Sequence, residues 1–391
     1  MNKSIFEEHY DRENTGSVKW DKSSLKTLFG SEDVLPMWIA DMDFPAPEGI
    51  QKALVERLKH PIFGYTAPSD TVFTAIQDWL KDRHSWKVDK EWISFSSGIV
   101  SAISTTIQAF TNPGDKILLQ SPVYTPFFDM VKSNDREVVN SPLILEEGRF
   151  TIDFTDFEDK LKDGVKLFLF CSPHNPGGRV WTKDELLRIG ELCEKYDVII
   201  VSDEIHADLF LTGSTHYPIA SLSKELAAMT VTLMAPSKTF NIAGMQASFL
   251  ITSNKELQLS LQKVQTKLAF HGLNILALTA MEAAYREGSQ WLTEMMGYIE
   301  ENIKLAEEFI AAEIPALHVM HPDASYLLWI DCRGLGLTDA QIKERLIYQG
   351  KLALEPGLKY GPGGEGFVRM NIGCSRATLL EGLNRLKRAF S

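Results

Sequence analysis

Residues 166–206 run KLFLFCSPHNPGGRVWTKDELLRIGELCEKYDVIIVSDEIH. The stretch opens on an apolar run, Lys166 to Cys171, closed by the turn formers Pro173, Pro176, Gly177 and Gly178. A short apolar run bounded in this way predicts a buried strand. Thr182 and Glu185 then stand at capping-box spacing, and Leu186, Ile189 and Cys193 recur on one face, so 182–196 predicts a helix. Val198 to Val201 predicts a second strand. Strand, helix and strand in that order imply a parallel sheet covered on both faces.

The pattern continues outward. Trp92 to Phe95, Lys116 to Leu119, Thr230 to Met234 and Ser248 to Ile251 are further short apolar runs, predicting an α/β fold. Residues 255–312 read as long helix. Two more strand candidates, Tyr326 to Ile330 and Phe367 to Ile372, follow Pro315 and suggest a smaller C-terminal α+β domain. The first 45 or so residues look like an arm. It ends in ADMDFPAPEG, where Pro45 and Pro47 oppose a continuous helix.

Composition excludes several classes. The chain of 391 residues carries a net charge of -12, which argues against a nucleic-acid or anionic-membrane surface. No apolar leader or run of about 18 apolar residues is visible, so neither a signal peptide nor a membrane span is expected, and the cytoplasm is the default. Cys171, Cys193, Cys332 and Cys374 are scattered without C-x-x-C spacing, as buried free thiols in a reducing compartment would be. The nine histidines form no H-E-x-x-H, so no metal site is expected. No G-x-G-x-x-G opens a helix after an early strand, which disfavours a nicotinamide site.

Parallel sheets bind ligands at the carboxyl ends of their strands. Five runs here are followed by polar residues at that end: Ser96-Ser97-Gly98-Ile99, Gln120 to Tyr124, Ser172 to Arg179, Ser202 to His206, and Ala235-Pro236-Ser237-Lys238. Each taken alone has an ordinary explanation. Asp203 suits a helix cap or an ion pair as well as a cationic ring nitrogen. Lys238 suits the surface as well as a nucleophile of depressed pKa. Gly98 and Ile99 open a helix whose free N–H groups form an anion site or are simply capped. Asn175 is a turn residue or a ligand contact. Tyr124 packs in the core or stacks on a flat ring. Arg369 shares a strand face with Asn371, suiting solvent or a carboxylate. Five such ends together point to one site built from many loops. The glycines at 361, 363, 364 and 366 precede a strand and read as a loop.

The segments SPHNPGGR, SDEIHADL and APSKTFNIAG together resemble the aspartate-aminotransferase superfamily, fold type I of the pyridoxal-phosphate enzymes. With SVKWD, WIADMDF and FGYTAPSD, the match is nearest to carbon–sulfur β-lyases of the MalY/PatB type, which include cystathionine β-lyases. The resemblance implies a mostly parallel seven-stranded sheet in a large domain at 48–285. It also implies a small domain at 286–391 and an arm at 1–47 packing with it.

The same resemblance implies roles and a cofactor, pyridoxal 5'-phosphate. Lys238 would carry it as a Schiff base and move the α-proton. Asp203 would pair with its pyridine nitrogen. Asn175 and His206 would bond its phenolic oxygen, and Tyr124 would stack on its ring. Gly98 and Ile99 N–H groups, with the Ser237 and Tyr65 hydroxyls, would hold its phosphate, Tyr65 reaching across from a second subunit of a homodimer. Lys238, Asp203 and Tyr65 form the implied catalytic set. Arg369, with Asn175 and Ala40, would hold the substrate α-carboxylate. Aminotransferases commonly place a serine at the position of Ala235 and an arginine at that of Gln246; these departures look normal for the lyases. The expected reaction is β-elimination on cystathionine or an S-substituted cysteine. A transaminase using the same residues is the nearest rival, and a regulatory protein binding a transcription factor is the rival from another class.

Overall fold

The computed structural model describes residues 4–391, so the first three residues of the expected arm lie outside the described residues. Seven strands make the main sheet: β1 (Ile93–Ser96), β2 (Lys116–Leu119), β3 (Glu137–Asn140), β4 (Leu167–Cys171), β5 (Ile199–Asp203), β6 (Thr230–Met234) and β7 (Ser248–Ile251). Their spatial order is β1-β7-β6-β5-β4-β2-β3. The expected α/β class with a mostly parallel seven-stranded sheet is the one the chain adopts. The departure is β7, antiparallel to both β1 and β6. The connection before it holds only the one-turn helix Pro236–Thr239 and a short 3-10 turn. No full crossover helix returns the chain in parallel.

Strand β4 shows why the apolar runs are unbroken. All five of its residues are buried. Leu167, Leu169 and Cys171 pack with Ile103 and Ile107 on one face of the sheet, while Phe168 and Phe170 pack with Trp181, Leu186 and Ile189 on the other. Both faces are covered, so no position is left for a polar residue. Each such Leu or Phe contributes roughly 1.5–3 kcal/mol through burial.

Three helices fix the loops that matter: α1 (Ile99–Phe110), α2 (Pro126–Ser133) and α3 (Lys183–Lys195). At α3 the Thr182 hydroxyl accepts from the Glu185 N–H at 3.2 Å, and the Glu185 carboxylate accepts from the Thr182 N–H at 2.8 Å. The two outer residues of the expected 182–196 helix are therefore its caps.

Trp92 falls in a 3-10 turn rather than in β1. Strand β3 gives no apolar run because it is a half-exposed edge. The helical stretch 255–312 is three helices, Lys255–Lys267, Ile275–Glu287 and Ser289–Glu313. Asn274 starts the second by accepting from the Ala277 N–H at 2.9 Å.

A second, antiparallel sheet contains β8 (His318–Met320), β9 (Leu327–Asp331), β10 (Glu355–Pro356) and β11 (Phe367–Asn371), in the order β8-β9-β11-β10. In β11, Val368 and Met370 enter the core, as does Ile372 just beyond it, and Arg369 and Asn371 point to the other face. That face is not solvated: Arg369 is 4% and Asn371 1% exposed.

What covers it is the N-terminal segment. Leu35–Pro36 pairs in parallel with Leu352–Ala353. The Asn371 amide donates to the Ile39 and Asp41 carbonyls at 2.7 and 2.9 Å, and Arg369 Nη2 donates to the Trp38 carbonyl at 3.0 Å. A charged knot holds the other side of the segment. Lys19 Nζ donates to Asp43 at 2.7 Å and to the Asp41 carbonyl at 2.9 Å, and Arg12 bridges Asp41 and Asp43. Burial would raise the Asp43 carboxyl, but Lys19, the Trp20 indole and Arg12 together hold it below the usual carboxylate range.

Candidate active site

The ends of β4, β5 and β6, the start of α1 and the face of β11 surround one cavity of about 450 Å³. Residues 39 and 40 supply a further part of its wall. Of the residues singled out from the sequence, Lys238, Asp203, Asn175, His206, Tyr124, Ile99, Arg369 and Ala40 all line it.

Lys238 follows β6 after Ala235-Pro236-Ser237, inside the one-turn helix that Pro236 opens. Its Nζ donates to the Ala40 carbonyl at 2.5 Å. Burial lowers its pKa to about 8; Asp41 opposes the shift, Arg369 adds to it and Asp203 opposes it. Asp203 ends β5 and faces Cys171 across the parallel ladder. One of its oxygens accepts from the Ile205 N–H at 3.1 Å. Burial pushes this carboxyl up to about 7, against the Ile205 hydrogen bond. A carboxylate destabilised in this way favours a cation placed beside it.

Arg369 makes the link between the two sheets. Its Nη1 donates to Asn175 Oδ1 at 3.0 Å and its guanidinium lies 5.3 Å from the Tyr360 ring centre. Its Nε is buried without a partner. Because Asn175 Oδ1 is committed to Arg369, the amide nitrogen is the donor Asn175 has left. His206 Nδ1 is likewise buried without a partner. Burial, then the charges of Lys238 and Arg369, push that imidazole down to about 3, so the ring is neutral. Burial raises the Tyr124 hydroxyl to about 12, leaving it protonated.

The anion site differs in detail from expectation. Gly98 has φ +119°, a conformation only glycine adopts readily, and its N–H already donates to Ser248 Oγ at 3.0 Å. The amides free at the start of α1 therefore begin at Ile99 and include Val100, which the sequence reading omitted. Ser237 is half-buried and is not part of the cavity wall. Tyr65 is not brought into this chain's cavity either; its ring is fully exposed on the loop before the helix Asp70–His84.

Glu355, Lys359, Tyr360, Cys171 and Asp129 also line the cavity and were not anticipated. Of these, Cys171 ends a recognised strand and could have been found by the same strand-end argument. The others lie on a two-residue strand, a short turn and one helix, with no periodic signal. Among the described residues, no group of three or more His, Cys, Asp or Glu side chains is placed to hold a metal ion, and no helix is long and apolar enough to cross a membrane.

Residues 32–386 match the family described as Aminotransferase class I and II. The chain belongs to the aminotransferase class I and II family. Within it, the chain is 51% identical to the cystathionine β-lyase PatB of Bacillus subtilis (strain 168), over 99% of this chain and 100% of that protein. The structure of cystalysin from Treponema denticola, which contains pyridoxal 5'-phosphate, superposes with a TM-score of 0.94 at 35% identity, covering 98% of each chain. A pyridoxal-phosphate-bound C–S lyase from Staphylococcus hominis, complexed with L-cycloserine, superposes with a TM-score of 0.92 at 33% identity, over 99% of this chain and 98% of that one.

The cavity of this family member suits such a cofactor on its own chemistry. It offers a lysine of lowered pKa for an aldehyde and a strained carboxylate for a ring cation. Free amides at a helix start suit a phosphate, and the unpartnered Arg369 Nε suits a further anion.

Proposed function

We propose that this chain is a pyridoxal-phosphate-dependent carbon–sulfur β-lyase, cleaving cystathionine or a related S-substituted cysteine to a thiol, pyruvate and ammonia. The observation that carries the reading is the convergence of Lys238, Asp203, Asn175 and Arg369 on one cavity. The full-length identity to a cystathionine β-lyase narrows it from the family to the reaction.

When bound, the cofactor supplies an electron-poor ring that spreads the negative charge left at the substrate Cα. Lys238 would hold its aldehyde, and the free lysine amine would be the base that takes the substrate Cα proton. Its lowered pKa keeps a useful fraction of the amine unprotonated near neutral pH. Asp203 would hold the ring nitrogen as a cation. Asn175 Nδ2 and the neutral His206 would hold the ring oxygen, Tyr124 would hold the ring, and the Ile99 and Val100 amides would hold the phosphate. The Arg369 guanidinium would grip the substrate carboxylate, held in place by Asn175 and Trp38. Loss of the proton expels the thiolate from Cβ; the remaining enamine hydrolyses to pyruvate and ammonia. A thiolate leaves readily, so no strong acid is required beside it.

We also propose a homodimer in which Tyr65 completes the partner's phosphate site. Val55, Leu58, Ile62, Phe63 and Tyr65 form an exposed apolar stretch that a monomer would leave in water. The free cysteines Cys171, Cys193, Cys332 and Cys374, all buried, suit the reducing cytoplasm.

The test is direct. Purified protein given pyridoxal phosphate should absorb near about 420 nm, and should release pyruvate catalytically from cystathionine or S-methylcysteine with no keto acid present. Strict dependence on a keto-acid acceptor would make it a transaminase and end the lyase reading.

A further inference from the structure

One wall of the cavity carries charge that none of the roles above uses. It lies beside Arg369, where Glu355 in β10 stands directly opposite Arg369 in β11. Glu355 is 7% exposed, and one of its oxygens accepts from Lys359 Nζ at 2.5 Å. The Lys359 side chain is itself 44% exposed, so the pair joins a buried carboxylate to a partly solvated side chain. The backbone of Lys359 is fixed as well: the Thr125 hydroxyl donates to its carbonyl at 2.6 Å. Thr125 starts α2, and one turn on the same helix presents Asp129, exposed and also lining the cavity.

Two carboxylates and one ammonium thus line the same pocket as Arg369. If Arg369 takes the α-carboxylate, the substrate's sulfur substituent must extend along the cavity from that point. A plain alkyl substituent gains nothing from charged walls and costs them hydration. A substituent ending in both an ammonium and a carboxylate meets an opposite charge at each group. It can also replace the Glu355–Lys359 contact without leaving either residue unpaired.

We propose that Asp129, Glu355 and Lys359 form a distal subsite selecting cysteine thioethers whose leaving thiol carries its own amino-acid end. This rests on the lyase reading and adds to it the residues that choose the substrate. Asp129 and Glu355 receive the distal ammonium, and Lys359 receives the distal carboxylate.

The experiment compares four thioethers on the cofactor-loaded wild-type enzyme by pyruvate release. They are cystathionine, S-(3-carboxypropyl)cysteine lacking the distal ammonium, S-(3-aminopropyl)cysteine lacking the distal carboxylate, and S-methylcysteine. Losing either distal charge should lower kcat/KM by about tenfold, the order expected for one charge-assisted hydrogen bond, chiefly through KM. Lys359→Met should then erase the advantage conferred by the carboxylate, and Asp129→Asn with Glu355→Gln that conferred by the ammonium. Each is read as a ratio to S-methylcysteine in the same variant, so a general loss of activity cancels. Equal kcat/KM for cystathionine and its two truncated analogues would overturn the subsite while leaving the lyase intact, and so would variants that slow all four substrates in parallel. No pyruvate from any of the four would remove the lyase reading and the subsite with it.

Discussion

Lys238 Nζ and the Ala40 carbonyl are joined by a 2.5 Å hydrogen bond across 198 residues of sequence. Ala40 belongs to the N-terminal segment and Lys238 to the one-turn helix that follows a central strand. The Tyr326 hydroxyl donates to the same carbonyl at 3.3 Å. The segment is therefore a wall of the site, and its anchors bear on catalysis.

The first anchor to test is Lys19, whose side chain is 1% exposed and paired with Asp43. Lys19→Met leaves Asp43 to Arg12 and Trp20 alone. We expect a loss of about 3 kcal/mol in urea unfolding at pH 7, with a fall in kcat from the displaced wall. Asp43 has a depressed carboxyl pKa in the fold, so what this group contributes is present above its unfolded pKa and lost as pH falls through the folded value. The difference between variant and wild type should therefore shrink towards pH 3. A difference that grows on acidification would contradict the pairing.

Asp203 gives the opposite sign. Its folded pKa of about 7 lies above the ordinary carboxyl value of 3.8. The cofactor-free fold thus loses stability as pH rises between those values and stays at the lower level above them. Asp203→Asn removes that loss. Its cofactor-free form should melt higher than wild type at pH 8 and close to it at pH 4, while activity disappears. A variant less stable than wild type at pH 8 would show that the carboxylate is satisfied without a cation.

Arg369→Lys keeps the charge but loses the planar fork that serves Asn175, Trp38 and the substrate together. We expect kcat/KM for S-methylcysteine to fall about a hundredfold, most of it in KM, with cofactor absorbance retained. Unchanged KM would place the carboxylate elsewhere.

Tyr65 is tested by mixing. Lys238→Ala and Tyr65→Phe subunits, each impaired alone, should form hybrids with one intact site when co-refolded. Activity above that of either parent supports a shared site. A mixture no better than its parents would mean that each chain supplies its own phosphate ligands.

The sheet and most of the cavity wall were legible because they obey a local rule. A strand buried on both faces is continuously apolar, and its polar residues appear where it ends, as at Asp203, Asn175 and Lys238. Strand β3 escaped because an edge has no such signature. The commitment of the Gly98 amide to Ser248 could not be read, since it joins residues 150 apart through the antiparallel β7. Glu355 and Lys359 escaped for a related reason. Their place is set by pairing with Arg369, and a two-residue strand carries no period from which to infer a partner.

The Asn371 amide clasps the Ile39 carbonyl across 332 residues, and Arg369 clasps Trp38 across 331. Contacts of that sequence separation close loops spanning most of the chain, and their closure entropy must be met before they give anything back. The wall that faces Lys238 is thus expected to be among the last parts of the molecule to form. In a refolding experiment, uptake of pyridoxal phosphate should trail the burial of the core tryptophans Trp181 and Trp329, so that the cofactor's colour serves as a clock for the final docking step. Simultaneous signals would mean that the wall is already in place when the core collapses.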